Sequence, residues 1–415
     1  MMKIQYNKEI REICEGVFKE VQKDGDKAVS KYTWFFDKAK VSNPKVSEEE
    51  INESKLLVPK NLKEAILFAK SNIEDFHKNQ IQTNKLKTEN NGCKCWQEIR
   101  AIQKVGLYIP GGTAPLFSTV LMLAIPAKIA ACRDIILLSP PNREGNINPV
   151  ILWTAKICGI KNIYKVGGIQ AIAAMTFGTE SIPNVYKIFG PGNSFVMEAK
   201  QLALNYGVSI DMPAGPSEVM VIADKSAKAR FVASDLLSQA EHGRDSKIAL
   251  LTTVPGFVEK VKDEIQLQLE NLPRKDIVSA VLSNNFTYKL ARNIDECIEL
   301  ANDYAPEHLI VCTENYNDIV PQIINAGSVF LGNYSPESAG DYASGTNHTL
   351  PTSSYAKMYS GISVDSFTKK ISFQEISKKG LGYLSKAIEI MAENEKLEAH
   401  ANAVRIRMNF EADNK

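Results

Sequence analysis

The chain has 415 residues, of which 44% are apolar and 23% charged, and its 49 Lys and Arg against 48 Asp and Glu leave a net charge of +1. That is ordinary globular usage over a length of roughly two to three domains, and the near-neutral balance excludes a nucleic acid or a membrane surface bound mainly by charge. The charged N-terminus lacks the apolar core of a signal peptide and no run reaches the roughly 18–20 apolar residues of a membrane span, so the expectation is a soluble, cytoplasmic protein.

Residues 10–23 put Ile10, Ile13, Val17 and Val21 on one helical stripe that ends at Gly25. Residues 48–76 hold two more such patterns, parted near Pro59. Asn91-Gly92 is a turn signal, and Cys93 and Cys95, one residue apart in a polar stretch, read as part of that turn. Seven cysteines without a CxxC pair read as reduced thiols, not as a metal or redox site.

From Val105 onward, short β-branched runs alternate with helical patterns. The first series is 105–109, 134–138, 162–166 and 185–189; the second is 219–223, 247–252, 278–282, 308–312 and 328–331. Starts about 25–30 residues apart match one βαβ unit. The fold class expected is therefore α/β, with two parallel-sheet domains and a cleft between them, parted at Met212-Pro213-Ala214-Gly215-Pro216. The organisation reads as N-terminal helices over 1–104 packing on the second α/β domain, a first α/β domain over 105–216, the second over 217–360, and a helical tail over 361–415. A long amphipathic pattern over 383–410 is suited to pack locally or to reach a second subunit.

Candidate chemistry begins with Gly190-Pro191-Gly192-Asn193, which follows a strand and opens a helix, a placement suited to an anion. Phe195 stands at the third glycine position of a GxGxxG fingerprint, so a plain strand-to-helix turn is the competing reading. A similar turn, Ile109-Pro110-Gly111-Gly112-Thr113-Ala114-Pro115, follows the first strand. Histidine occurs only at positions 77, 242, 308, 348 and 400. Gln239 and His242, three apart, share a helical face on which an amide oxygen and an imidazole suit zinc; a helix-end histidine favoured by the dipole is the plainer alternative. Glu307-His308 precede a strand and make a pair of proton acceptors near neutral pH, or else a hydrogen-bonded structural pair. The polar loop from Gly340 and Asp341 to His348 lies where open α/β sheets bind ligands. Glu395 and His400, five apart in the tail, read by spacing as solvated surface residues.

Taken in order, VGLYIPGGTAPLFSTVLMLAIPA, GPGNSFVMEAK, IDMPAGPSEVMVIAD, ASDLLSQAEHGRDS, ANDYAPEHL and SAGDYASGTNHTLPT make the chain resemble the histidinol dehydrogenases. The resemblance runs from Val105 through Thr352 and on to Arg405, and weakly back through the N-terminal helices. It implies two incomplete Rossmann-like domains and oxidation of L-histidinol to L-histidine through an aldehyde, with two NAD, as the last step of histidine biosynthesis. It implies zinc held by Gln239, His242, Asp341 and His400, and Glu307 and His308 as catalytic bases. Substrate contacts would come from Ser217, Gln239, His242, Glu307, His308, Asp341, His348, Glu395 and His400, and NAD contacts from Tyr108, Gln170 and Asn193. It further implies a homodimer whose tail reaches the partner's site. Lys396 stands where the family often has glycine. A related alcohol dehydrogenase is the nearest alternative, and a non-catalytic zinc-stabilised nucleotide sensor a more distant one.

Overall fold

The computed structural model describes residues 8–81, 87–111, 115–213 and 215–410. Gly112-Thr113-Ala114 of the first glycine-rich turn and Ala214 of the expected hinge lie outside the described residues. The chain divides into a large unit, Met1–Gln80 with Ile102–Phe367, and a small one, Ile81–Ala101 with Thr368–Lys415.

The large unit contains both β-series. In the first sheet the strands lie in the order Asn162–Lys165, Asp134–Ser139, Lys104–Tyr108, Lys187–Phe189, Ser209–Ile210, all parallel. In the second the order is Phe286–Leu290, Lys247–Thr252, Glu218–Ala223, His308–Cys312, Ser328–Leu331, again all parallel. Each sheet therefore starts with its middle strand, winds outward to one edge and then returns to the other side. That order leaves a switch point beside the first strand of each sheet.

Helices cover both sheets because the central strands are apolar on both faces, as in Glu218–Ala223, where every residue is buried. The N-terminal helices pack on the first series, not on the second as the sequence reading had it. Cys14, Val17, Phe18 and Val21 of Lys8–Asp24 share a core with Tyr108, Ile136, Leu138 and the helix Gly168–Phe177. The apolar stripe was legible; which sheet it would cover was not, because any apolar face satisfies it.

Two further readings are corrected. Residues 278–282 belong to the helix Lys275–Asn284, with Val278 and Val281 buried one turn apart, and the strand is Phe286–Leu290. A five-residue apolar run fits either period. Cys93 and Cys95 are not in a turn. Asn91 (φ 47°) and Gly92 (φ 81°) make a two-residue hairpin loop, and Cys93–Ala101 is a strand paired with Lys87–Asn90.

In the small unit that strand also pairs antiparallel with Thr368–Ile376. The expected single tail helix is two, Lys378–Asn394 and Glu398–Asn409, broken where Lys396 takes φ 60°. No described helix is long and apolar enough to cross a membrane.

Candidate active site

The second sheet gathers the candidate residues at the amino ends of its strands, not beyond the carboxyl ends as the loop rule suggested. His308 is the first residue of its strand and pairs in register with Val219 and Ser328. The helix Ala229–Ala240 runs back across the sheet, buries Val232, Leu236 and Leu237 against it, and delivers Gln239 and His242 to that same edge. The short helix Glu337–Tyr342 and the loop after it return there as well, with Asp341 and His348.

Glu307 and His308 owe their placement to the turn before them. The helix Ile294–Tyr304 ends at Ala305, a non-glycine residue at φ 55°, which reverses the chain into Pro306. On the neighbouring strand Gly327 leaves room for the Glu307 carbonyl: a Cβ there would stand 2.6 Å from that oxygen. Both side chains are buried, with Glu307 6% and His308 3% exposed. The Glu218 N–H donates to Glu307 Oε2 at 2.8 Å, and His308 Nδ1 donates to the Glu218 carbonyl at 3.1 Å. Glu218 is held in turn by Lys247 at 3.3 Å and by the Ser353 N–H at 3.1 Å. Ser217, half-buried, immediately precedes it.

Among the described residues buried His308 Nε2 has no hydrogen bond, and it lies 3.6 Å from Asp341 Oδ1. Asp341 Oδ2 is 3.8 Å from His242 Nε2. His348 donates from Nδ1 to the Asp341 carbonyl at 2.8 Å and meets Thr119 Oγ1 through Nε2 at 3.1 Å. Seven of the nine candidate substrate and zinc residues thus converge on this edge of the sheet. Glu395 and His400 lie in the small unit, both exposed, at the end of the first tail helix and in the first turn of the second.

Burial pushes the Glu307 carboxyl up to about 7, although the nearby His308 opposes it. Burial alone would lower His308, but Glu307, Glu337 and Asp341 surround it with negative charge and raise it to about 10. Burial would likewise raise Asp341; the imidazoles of His308, His348 and His242 hold it below the usual carboxylate range instead.

The chemistry of this donor set fits a divalent ion. Ligating atoms of His242, Asp341 and Glu337 lie within 4.8 Å of one another, and mixed imidazole and carboxylate donors suit zinc. Glu337, 1% exposed, and Glu218, fully buried, are the participants that the sequence reading missed. A signal for Glu337 existed: it stands four residues before Asp341, one helical turn away.

The three candidate NAD residues line the other sheet and are all engaged within the protein. Tyr108 ends its strand and its hydroxyl accepts from the Gly168 N–H at 3.1 Å. Gln170 is fully buried; its nitrogen donates to Asp37 Oδ2 at 3.2 Å and its oxygen has no hydrogen-bond partner among the described residues. Asn193 caps the helix Ser194–Leu204 by accepting from the Val196 N–H at 3.1 Å. Gly190, at φ 131°, crosses so close to Tyr108 that a Cβ would fall 2.1 Å from its carbonyl oxygen. A cavity of about 510 Å³ opens at the carboxyl ends of Lys104–Tyr108 and Asp134–Ser139, lined by Gly111, Pro115, Pro140, Asn148, Glu50 and Ser54 among others but by none of the three candidate NAD residues. The fingerprint is absent, and the cavity lies at the carboxyl ends of these two strands, on the side away from the switch point beside Lys187–Phe189.

Comparison with known proteins bears on this arrangement. Residues 2–408 match the family model described as histidinol dehydrogenase. Histidinol dehydrogenase of Bacteroides thetaiotaomicron is 56% identical over 393 residues, 95% of this chain and 92% of its own. That of Bacteroides fragilis is 55% identical over 392 residues, 94% and 91%. The crystal structure of histidinol dehydrogenase from Elizabethkingia anophelis superimposes with a TM-score of 0.95 at 53% identity, covering 100% of this chain and 95% of that one.

Proposed function

The chain belongs to the histidinol dehydrogenase family, and on that premise we propose that it oxidises L-histidinol through L-histidinal to L-histidine with two NAD, using zinc, as a cytoplasmic homodimer. The observation that carries this reading is the His308 ring: Nδ1 is committed to the Glu218 carbonyl, with Glu307 Oε2 3.7 Å away, and Nε2, buried without a hydrogen bond among the described residues, lies 3.6 Å from Asp341, whose carboxylate also neighbours His242.

The residues take the following parts. Alcohol oxidation requires loss of the hydroxyl proton as hydride leaves carbon, and His308 Nε2 is the group turned to accept it. The aldehyde must then gain water. Glu307, buried and raised to about 7, has the basicity to take a proton from that water near neutral pH while its oxygen bonds to carbon. His308 returns the proton it took in the first oxidation to the carbonyl oxygen, which completes the hydrate and frees Nε2 to take a hydroxyl proton of that hydrate in the second oxidation, while Glu307 gives its proton up to solvent. NAD, when bound, accepts the hydride of each oxidation. Tyr108, Gln170 and Asn193 would hold it, with the backbone at Gly190–Asn193 close by.

Gln239, His242 and Asp341, with His400 of the tail, would hold the zinc. When bound, zinc orients the imidazole and amine of histidinol and offsets the carboxylate charge that keeps His308 protonated. Ser217, His348 and Glu395 would complete the substrate contacts. Dimerisation is supported by apolar surface on the tail helices, where Tyr383, Met391 and Ile406 are 62%, 64% and 59% exposed. In the dimer, Glu395 and His400 would reach the partner's site.

A panel of small alcohols tests the substrate assignment. L-histidinol should be turned over with the highest kcat/KM by zinc-loaded protein; another alcohol preferred over it would overturn the assignment within the family.

A further inference from the structure

An amide ligand poses a problem that an imidazole or carboxylate does not. Its two ends have nearly the same shape, yet only the oxygen can bind a metal. Gln239 is fully buried in the last turn of its helix. With the amide assigned so that its nitrogen faces Glu337, the orientation that satisfies both groups, that nitrogen donates to Oε1 at 2.7 Å and to Oε2 at 3.2 Å. In its carboxylate form Glu337 only accepts hydrogen bonds, so it receives the nitrogen and rejects the oxygen. An amide facing Glu337 in this way has its carbonyl oxygen turned from it.

Resting on the zinc reading above, we infer that Glu337 is a positioning residue, which fixes the Gln239 amide so that its carbonyl oxygen is presented to the metal. The helix Glu337–Tyr342 then has two tasks one turn apart: Asp341 supplies a ligand, and Glu337 aims a ligand borne by another helix. Glu337 is 1% exposed, so the geometry is shielded from water that would otherwise satisfy either end of the amide.

The test is zinc affinity, measured by chelator competition on metal-stripped full-length protein, with the melting temperature of each metal-free variant recorded. Glu337→Leu should weaken zinc about 10–100-fold, the usual effect of removing an outer-shell partner. Gln239→Glu should also weaken it, because two carboxylates then face each other in a buried place. The exchange of the pair, Gln239→Glu with Glu337→Gln, restores one donor and one acceptor, and should bring affinity back to within about tenfold of the parent. A role confined to stability would move the melting temperature without this reciprocal recovery.

Parent-like zinc affinity in Glu337→Leu overturns the inference, as does an exchanged pair no better than Gln239→Glu alone. Should Glu337→Leu fail to fold, the exchanged pair decides by itself. Loss of zinc in Glu337→Leu but not in Gln239→Leu would make Glu337 the ligand and overturn the inference while leaving zinc dependence intact. A parent protein that binds no zinc would remove the zinc reading and this inference together.

Discussion

His308 Nδ1 lies 3.1 Å from the backbone carbonyl of Glu218, an acceptor that admits only a donor, so the ring keeps a proton there in either charge state and Nε2 is the nitrogen that gains or loses the second. The Glu218 N–H binds the Glu307 carboxylate at 2.8 Å. One backbone unit thus sets the tautomer of one candidate base and the orientation of the other. Alternate facing belongs to residues within a strand, and Glu307 precedes the strand that His308 begins.

Replacing His308 with Asn keeps a side-chain donor of similar reach but removes the basic nitrogen. Turnover should fall about 10²–10⁴-fold, the usual worth of a positioned proton acceptor, while zinc content measured by metal analysis stays unchanged. Turnover within threefold of the parent would take His308 out of the chemistry.

Burial raises the Asp37 carboxyl to about 6, against the partial relief of the Gln170 hydrogen bond. A carboxyl with a raised folded-state value favours the folded state in acid. That contribution is lost as pH rises from the unfolded value of about 4 through 6. Asp37→Asn can still accept from Gln170, so it should stabilise the protein above pH 6 by about 1–3 kcal/mol and change little near pH 4. Denaturant midpoints at the two pH values check this; a gain of equal size at both would place its origin elsewhere.

Lys200 and Asp211 form an ion pair at 2.5 Å with each side chain 1% exposed. Together they pin Gly190: Lys200 Nζ donates to its carbonyl at 2.7 Å, and its N–H donates to Asp211 Oδ2 at 2.8 Å. Lys200→Met strands a buried carboxylate and should cost about 3–5 kcal/mol in unfolding free energy. Adding Asp211→Leu should recover part of that loss but not all, because both Gly190 groups then lack partners. Thermal or denaturant unfolding reads both effects, and a single-variant loss below about 1 kcal/mol would refute the account.

Subunit sharing predicts complementation. His400→Ala and His308→Ala chains should each be inactive, and refolding them together should restore partial activity, since a mixed dimer holds one site with both histidines. No recovery in demonstrably mixed dimers would mean that each site is built from one chain.

Much of this architecture was legible. The βαβ spacing located both sheets, and Gln239, His242, Glu307, His308, Asp341 and His348 were each singled out from local context before geometry joined them. What escaped depended on long-range choice. Residues 278–282 read equally as strand or helix, and the stripe at Cys14–Val21 does not say which sheet it covers. The edge of the sheet that carries the site was misjudged because the loop after Leu331 leaves the carboxyl end, and only its path through Glu337–Tyr342 returns Asp341 to the amino end. Glu337 went unnoticed because its one local signal, the four-residue spacing to Asp341, carries no chemistry by itself. Its meaning comes from Gln239, almost a hundred residues earlier in the chain.

The central claim is that one chain type carries out both oxidations at the Glu307–His308 site. NADH formed per L-histidinol consumed, followed to completion on zinc-loaded protein with excess NAD, tests it most directly. The account predicts two NADH and one L-histidine for each histidinol. One NADH with accumulating aldehyde, or none with zinc bound and the dimer intact, would contradict it.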